Sequence, residues 1–146
     1  MIPDLLLGDV EKHLLDGNEI LLVAKGEQNT AYHLSEITVP IVASSLFLVI
    51  KVQSDKISPA YLAWYLNTSE CQANLHKMSR GSAVRSLAKR DLQKLQVPVP
   101  SLEAQRAILN LYELQQKEQQ ILQRLLSATQ QLAEAQLLQI AKHDTL

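Results

Sequence analysis

The sequence predicts an α+β fold: a small mixed α/β domain, then one long C-terminal helix that forms a coiled coil. Three observations carry that expectation. Two β-rich apolar stretches occupy the first third of the chain, at residues 20–24 and 41–52. A proline-led helical segment follows at Ser58-Pro59. From Ser101 to Lys142 there is neither glycine nor proline, and apolar residues recur at helical spacing.

Ile20-Leu21-Leu22-Val23-Ala24 is an unbroken apolar run after the turn-forming Asp16-Gly17-Asn18, and Lys25-Gly26 closes it. Ile41-Val42-Ala43 and Leu46 to Val52 make the second stretch, in which Phe47, Val49 and Val52 suit a pleated surface. Such runs fit strands buried on both faces, though length alone does not separate them from buried helix. At Ser58-Pro59 a hydroxyl precedes a proline whose missing N–H costs nothing in a first helical turn. Tyr61, Leu62, Tyr65 and Leu66 follow at helical spacing beside Trp64, an arrangement that reads as core packing. Asn67-Thr68-Ser69 ends this helix, with Ser69 able to cap a second one from Glu70 to about Met78. Arg80-Gly81 is a stop signal, because glycine readily takes the left-handed conformation. A helix-turn-helix is the alternative for this pair, but the flanking strands argue for a mixed domain. Beyond a short helical step at Lys89 to Lys94, the prolines in Gln96-Val97-Pro98-Val99-Pro100 force an extended connector or edge strand.

Ser101 caps the last helix, with Glu103 in its first turn. Counting sevens from Ala104 gives a seam through Ala107, Leu111, Leu114, Glu118, Ile121, Leu125, Ala128, Leu132, Ala135, Gln139 and Lys142, and nine of the twelve positions are apolar. A second stripe through Leu122, Leu126, Ala133, Leu137 and Ile140 widens it. At 1.5 Å per residue this helix is roughly 60 Å long, too long to be covered by a domain of this size. Leu111, Leu114, Ile121, Leu125, Ala128 and Leu132 are therefore the candidate pairing residues. Glu118 within the seam would set register or orientation at some cost in stability. Folding back on itself is the alternative, with Ser127-Ala128-Thr129 the weakest stretch for it. The expected division is 1–100 for the domain and 101–146 for the helix.

The 146 residues suffice for one sizeable core, and with aromatics at 4% the packing must be aliphatic. The single cysteine, Cys71, excludes an intrachain disulfide, and no targeting or membrane-spanning run is present, so a cytoplasmic location is expected. The net charge of −1 hides an asymmetry. Residues 1–76 carry nine acids against four Lys/Arg, whereas residues 77–94 carry six bases (Lys77, Arg80, Arg85, Lys89, Arg90, Lys94) against Asp91 alone. A short cationic segment inside an acidic chain suits phosphate contact, or else a solvated face. Lys77, Arg80, Ser82, Arg85, Lys89 and Arg90, around the Gly81-Ser82 loop, are the candidate DNA-contacting residues. Enzymatic chemistry is not legible. The four histidines are scattered without metal-ligand spacing, the glycines form no phosphate-cradling cluster, and no Gly-x-Ser-x-Gly or acid-x-Lys triplet occurs.

The stretch from Ile57 to about Leu114 resembles the specificity subunits of type I restriction–modification systems. The matching pieces are Ser58-Pro59-Ala60-Tyr61-Leu62-Ala63-Trp64-Tyr65-Leu66-Asn67, Arg80-Gly81-Ser82-Ala83, Leu87 with Asp91-Leu92, and Val97-Pro98-Val99-Pro100-Ser101-Leu102-Glu103-Ala104-Gln105. In the family these read as a helix, a Gly-Ser/Thr loop, a helical step, a proline-flanked strand and the Leu-Glu-x-Gln opening of a long helix. The segments Leu14 to Val23 and Ala43 to Lys51 extend the likeness upstream. The chain departs from the usual pattern of two recognition domains and two antiparallel helices. It carries one of each, and begins at what reads as the middle of a recognition domain.

The resemblance implies a target-recognition-like domain and a non-catalytic role without a cofactor, since S-adenosylmethionine belongs to the methyltransferase partners. It implies double-stranded DNA as a ligand, docking of methyltransferase and restriction subunits, and homodimerisation through the helix, which restores two-fold symmetry. An assembly or regulatory protein that binds such subunits through the helix, without DNA affinity of its own, is the alternative.

Overall fold

The computed structural model describes residues 5–8, 18–35, 46–81 and 84–144. Ile41-Val42-Ala43 and Ser82 lie outside these residues. Strands Leu5–Gly8 (β1), Glu19–Val23 (β2), Ala31–His33 (β3) and Phe47–Val52 (β4) form an antiparallel sheet in the order β1-β4-β2-β3. Its centre is the pair β2–β4, in which Ile20 faces Ile50 and Leu22 faces Leu48. Because side chains alternate across a strand, the unbroken apolar run of β2 supplies both faces. Ile20, Leu22 and Ile50 enter the main core, while Leu21 and Val49 form a second cluster with Leu34 and Phe47. Across the same pair, the buried Glu19 carboxylate meets Lys51 Nζ at 2.9 Å, which answers its charge.

Helices Pro59–Leu66 (α1) and Ser69–Met78 (α2) complete the main core with Tyr61, Leu62, Leu66, Cys71 and Leu75. The Cys71 thiol is pushed up to about 11, chiefly by burial, so it is packed as an apolar side chain rather than poised as a nucleophile. The tyrosines are packing residues with a polar handle, as their helical spacing suggests: Tyr61 Oη donates to the Pro98 carbonyl at 2.9 Å. Gln96 to Pro100 is thereby a connector laid against α1, not a strand.

Two caps differ from expectation. Ser58 sits at the cap of α1, yet its hydroxyl makes no cap bond. The second helix is capped by Thr68 rather than Ser69, its Oγ1 accepting the Cys71 N–H at 3.3 Å. Either hydroxyl reads as a cap in sequence, but Thr68 also donates to the Tyr65 carbonyl at 2.7 Å, which holds it at the junction.

Side-chain amides tie the sheet to the helices. Asn67 Oδ1 accepts the Ala31 N–H at 2.9 Å and Asn67 Nδ2 donates to the Ala31 carbonyl at 2.8 Å. The Asn67 amide thus imitates a neighbouring strand on the outer edge of β3. Gln72 does the same for Asn29, accepting its N–H at 3.2 Å and donating to its carbonyl at 2.7 Å.

The last helix, Leu102–His143 (α4), is continuous. Ser101 caps it as expected, accepting the Ala104 N–H at 3.2 Å. Ser127-Ala128-Thr129 does not break it, and the Thr129 hydroxyl donates to the Leu125 carbonyl one turn back at 2.9 Å. By contacts the chain divides into Met1–Leu109 and Asn110–Leu146. The opening of α4 thus belongs to the first unit, where Ile108 and Leu109 pack against the core and Gln105 is fully buried. In the second unit every described residue is exposed except the half-buried Gln116. Leu111, Leu114, Ile121, Leu125 and Leu132 are all more than half exposed.

Candidate nucleic-acid interface

The cationic segment begins where α2 ends. Ser79 is extended, so the helix stops without a left-handed residue, and Gly81 serves the following loop instead. Its φ of 119° lies where only glycine is at ease, and an added Cβ would collide with the Val84 carbonyl oxygen. The loop closes on a backbone pair: Arg80 N–H donates to the Ser86 carbonyl at 3.0 Å, and Ser86 N–H to the Arg80 carbonyl at 2.8 Å. Further bonds fasten the loop to the end of β2, from Gly26 N–H to the Arg85 carbonyl at 3.0 Å and from Leu87 N–H to the Ala24 carbonyl at 2.7 Å. Buried Leu87 anchors its far side in the core. The loop is held at its base, through Arg80 on one side and Arg85 to Leu87 on the other.

We expect Gly81→Ala to strain this closure by about 1–3 kcal/mol. Chemical denaturation should read that loss.

The bases of the segment do different things. Arg80 projects from the loop's first residue, and Arg90 from the short helix Lys89–Leu92 (α3). Their Nε atoms both lie 3.9 Å from Oδ2 of Asp91, and Lys94 Nζ lies 2.9 Å from Oδ1. Asp91 is buried, and the hydrogen bond from Lys94, with the charges of Lys94, Arg80 and Arg90 adding to it, holds its carboxyl below the usual carboxylate range. Arg85 Nη1 donates to the His76 carbonyl at 3.0 Å, so this guanidinium covers the last turn of α2, where carbonyls accumulate negative charge. Lys77 is exposed in that same turn, and Lys89 is half-buried at the first residue of α3.

The fold therefore gathers Arg80 and Arg90 about one carboxylate and sets Arg85 at the C-terminus of α2. It also adds a base that local sequence does not group with the others: exposed Lys25 pairs through its backbone with Ser86. The adjacency needs the Ala24–Leu87 and Gly26–Arg85 bonds, which join distant parts of the chain. Asp91 was legible only as the lone acid of the segment. Its spacing to Lys94, three residues on, is the signal that could have marked it as a counter-charge.

Among the described residues, no group of three or more His, Cys, Asp or Glu side chains is placed to hold a metal, and no helix is long and apolar enough to cross a membrane. The family model described as type I restriction modification DNA specificity domain matches residues 3–142. No curated protein matches the chain.

Proposed function

The chain belongs to the type I restriction–modification DNA specificity domain family, and from that premise we propose how its parts divide the work of a DNA-recognition module. The loop Arg80–Ser86 and helix α3 contact the DNA backbone, and α4 pairs with the same helix of a second copy while docking methyltransferase and restriction subunits. Lys77, Arg80, Ser82, Arg85, Lys89 and Arg90 supply the phosphate contacts, with Lys25 beside them. The role is non-catalytic and cytoplasmic, and needs no cofactor of its own. The observation that carries the proposal is the stitched cationic loop: exposed Arg80 and Arg85, with exposed Lys25 paired to Ser86 beside them, on a backbone fixed to the core. Phosphate contacts of this kind give affinity and register, while base edges read sequence.

The pairing of α4 rests on its unburied leucines and isoleucines. Burying one fully is worth about 1.5–3 kcal/mol, so a helix presenting this many gains far more by association than it loses in freedom. The seam Leu111, Leu114, Ile121, Leu125, Ala128 and Leu132 would then be its centre.

Sedimentation equilibrium tests the pairing, and anisotropy with a labelled duplex at low salt tests the binding. We expect a dimer that becomes monomeric when Leu125 and Leu132 are both replaced by Asp, and duplex binding that weakens as salt rises. A wild-type monomer would overturn the pairing. A dimer without DNA affinity would overturn the DNA contact and favour the assembly role, in which the helix alone binds restriction–modification subunits.

A further inference from the structure

We infer that Asp91 is a positioning residue, a buried counter-charge that holds Arg80 and Arg90 together as a paired guanidinium clamp for a single anionic oxygen group of the DNA backbone. The inference rests on the DNA-contacting reading above. It starts from a peculiarity of the cluster: a carboxylate within a phosphate-binding surface lowers the attraction of that surface for DNA. Its presence there calls for a geometric effect that offsets the lost charge.

The geometry supplies one. Arg80 and Arg90 come from different elements, the loop and α3, yet both approach the same Asp91 oxygen, Oδ2. That oxygen is buried and accepts no hydrogen bond, and the two guanidiniums are its ion-pair partners, while Lys94 answers the carboxylate at Oδ1. At 3.9 Å the two contacts are ion pairs too long for hydrogen bonds, and no described residue accepts a hydrogen bond from either guanidinium. Both side chains are more than two-thirds exposed. They are thus drawn together from below and left with their donors turned to solvent. Three cations to one carboxylate keep the cluster positive. An arginine fork matches the planar acceptor edge of a phosphate, and two forks held in advance lose less freedom on binding than two mobile ones.

The test exploits opposed signs. Asp91→Asn keeps the shape and an acceptor for Lys94 but adds one unit of positive charge to the chain. Measured by anisotropy with a labelled duplex at low salt, positioning predicts binding about tenfold weaker despite that charge. It also predicts that Arg80→Ala, costly in the wild-type background, costs no more than about twofold in the Asp91→Asn background. Tighter binding by Asp91→Asn, or additive losses in the double variant, would overturn the inference and leave the DNA reading intact. No duplex binding by the wild type would overturn the DNA reading, and the clamp with it. If circular dichroism shows that Asp91→Asn does not fold, Arg80→Lys and Arg90→Lys decide instead. A paired clamp predicts that either substitution alone loses nearly as much as both together, whereas near-wild-type binding by the single variants would overturn it.

Discussion

Replacing Gln105 with leucine should lower the stability of the first unit by about 3–4 kcal/mol, the largest effect expected of any single substitution that keeps side-chain volume. The residue is entirely buried at the opening of α4. Its Oε1 accepts the Ser58 N–H at 2.8 Å, and its Nε2 donates to the carbonyls of Lys56 and Pro100, each at 2.8 Å. One amide therefore satisfies the turn before α1, the N-cap residue of α1 and the last residue of the proline connector. It joins three segments that have no regular pairing of their own. Leucine would leave one donor and two acceptors, all in half-covered positions, without partners, each costing about 1–3 kcal/mol before relaxation admits water. Gln105→Glu should be nearly as harmful, since a carboxylate has no hydrogen to offer two carbonyls. Urea unfolding followed by Trp64 fluorescence measures both variants. A loss under about 1 kcal/mol would show that water replaces the amide at little cost.

The second large effect is on binding. Alanine at Arg80, Arg85 and Arg90 together should weaken duplex affinity by about 3 kcal/mol at low salt, on the order of a hundredfold, if each exposed phosphate contact contributes about 1 kcal/mol. Removal of Arg85 also uncovers the His76 carbonyl at the end of α2, but that contact is exposed and water can take it over. Anisotropy gives the affinity and circular dichroism confirms that the triple variant remains folded. An unchanged affinity would remove the loop from the interface.

The elements that could be read from sequence are those whose cause is local. The apolar run of β2, the proline at the first turn of α1, the Ser101 cap and the unbroken periodicity of α4 each act within a few residues, and each lies where the pattern put it. The strand β3 has no such pattern. Ala31-Tyr32-His33 is a strand because β2 pairs with one edge and Asn67 with the other, and Asn67 reads in sequence as a helix breaker. Gln105 belonged to a legible motif, but its burial depends on Lys56 and Ser58, which only the fold brings near. The cationic segment was visible as a run of charge, while its internal order was not. That Arg80 and Arg90 share Asp91, that Arg85 faces a helix end and that Lys25 joins the loop are all consequences of the Arg80–Ser86 closure and its attachment to β2.

The most direct measurement of DNA contact through this surface is the salt dependence of duplex binding, wild type against the triple alanine variant. Each neutralised phosphate contributes about 0.9 to the slope of log affinity against log salt, so six basic contacts per chain, with Arg80 and Arg90 on one phosphate, predict a slope near −4.5 per chain for the wild type. The triple variant, which loses the phosphate shared by Arg80 and Arg90 and the one met by Arg85, should be shallower by about 2. Equal slopes for the two proteins, or no binding by the wild type at low salt, would contradict contact through the loop and α3.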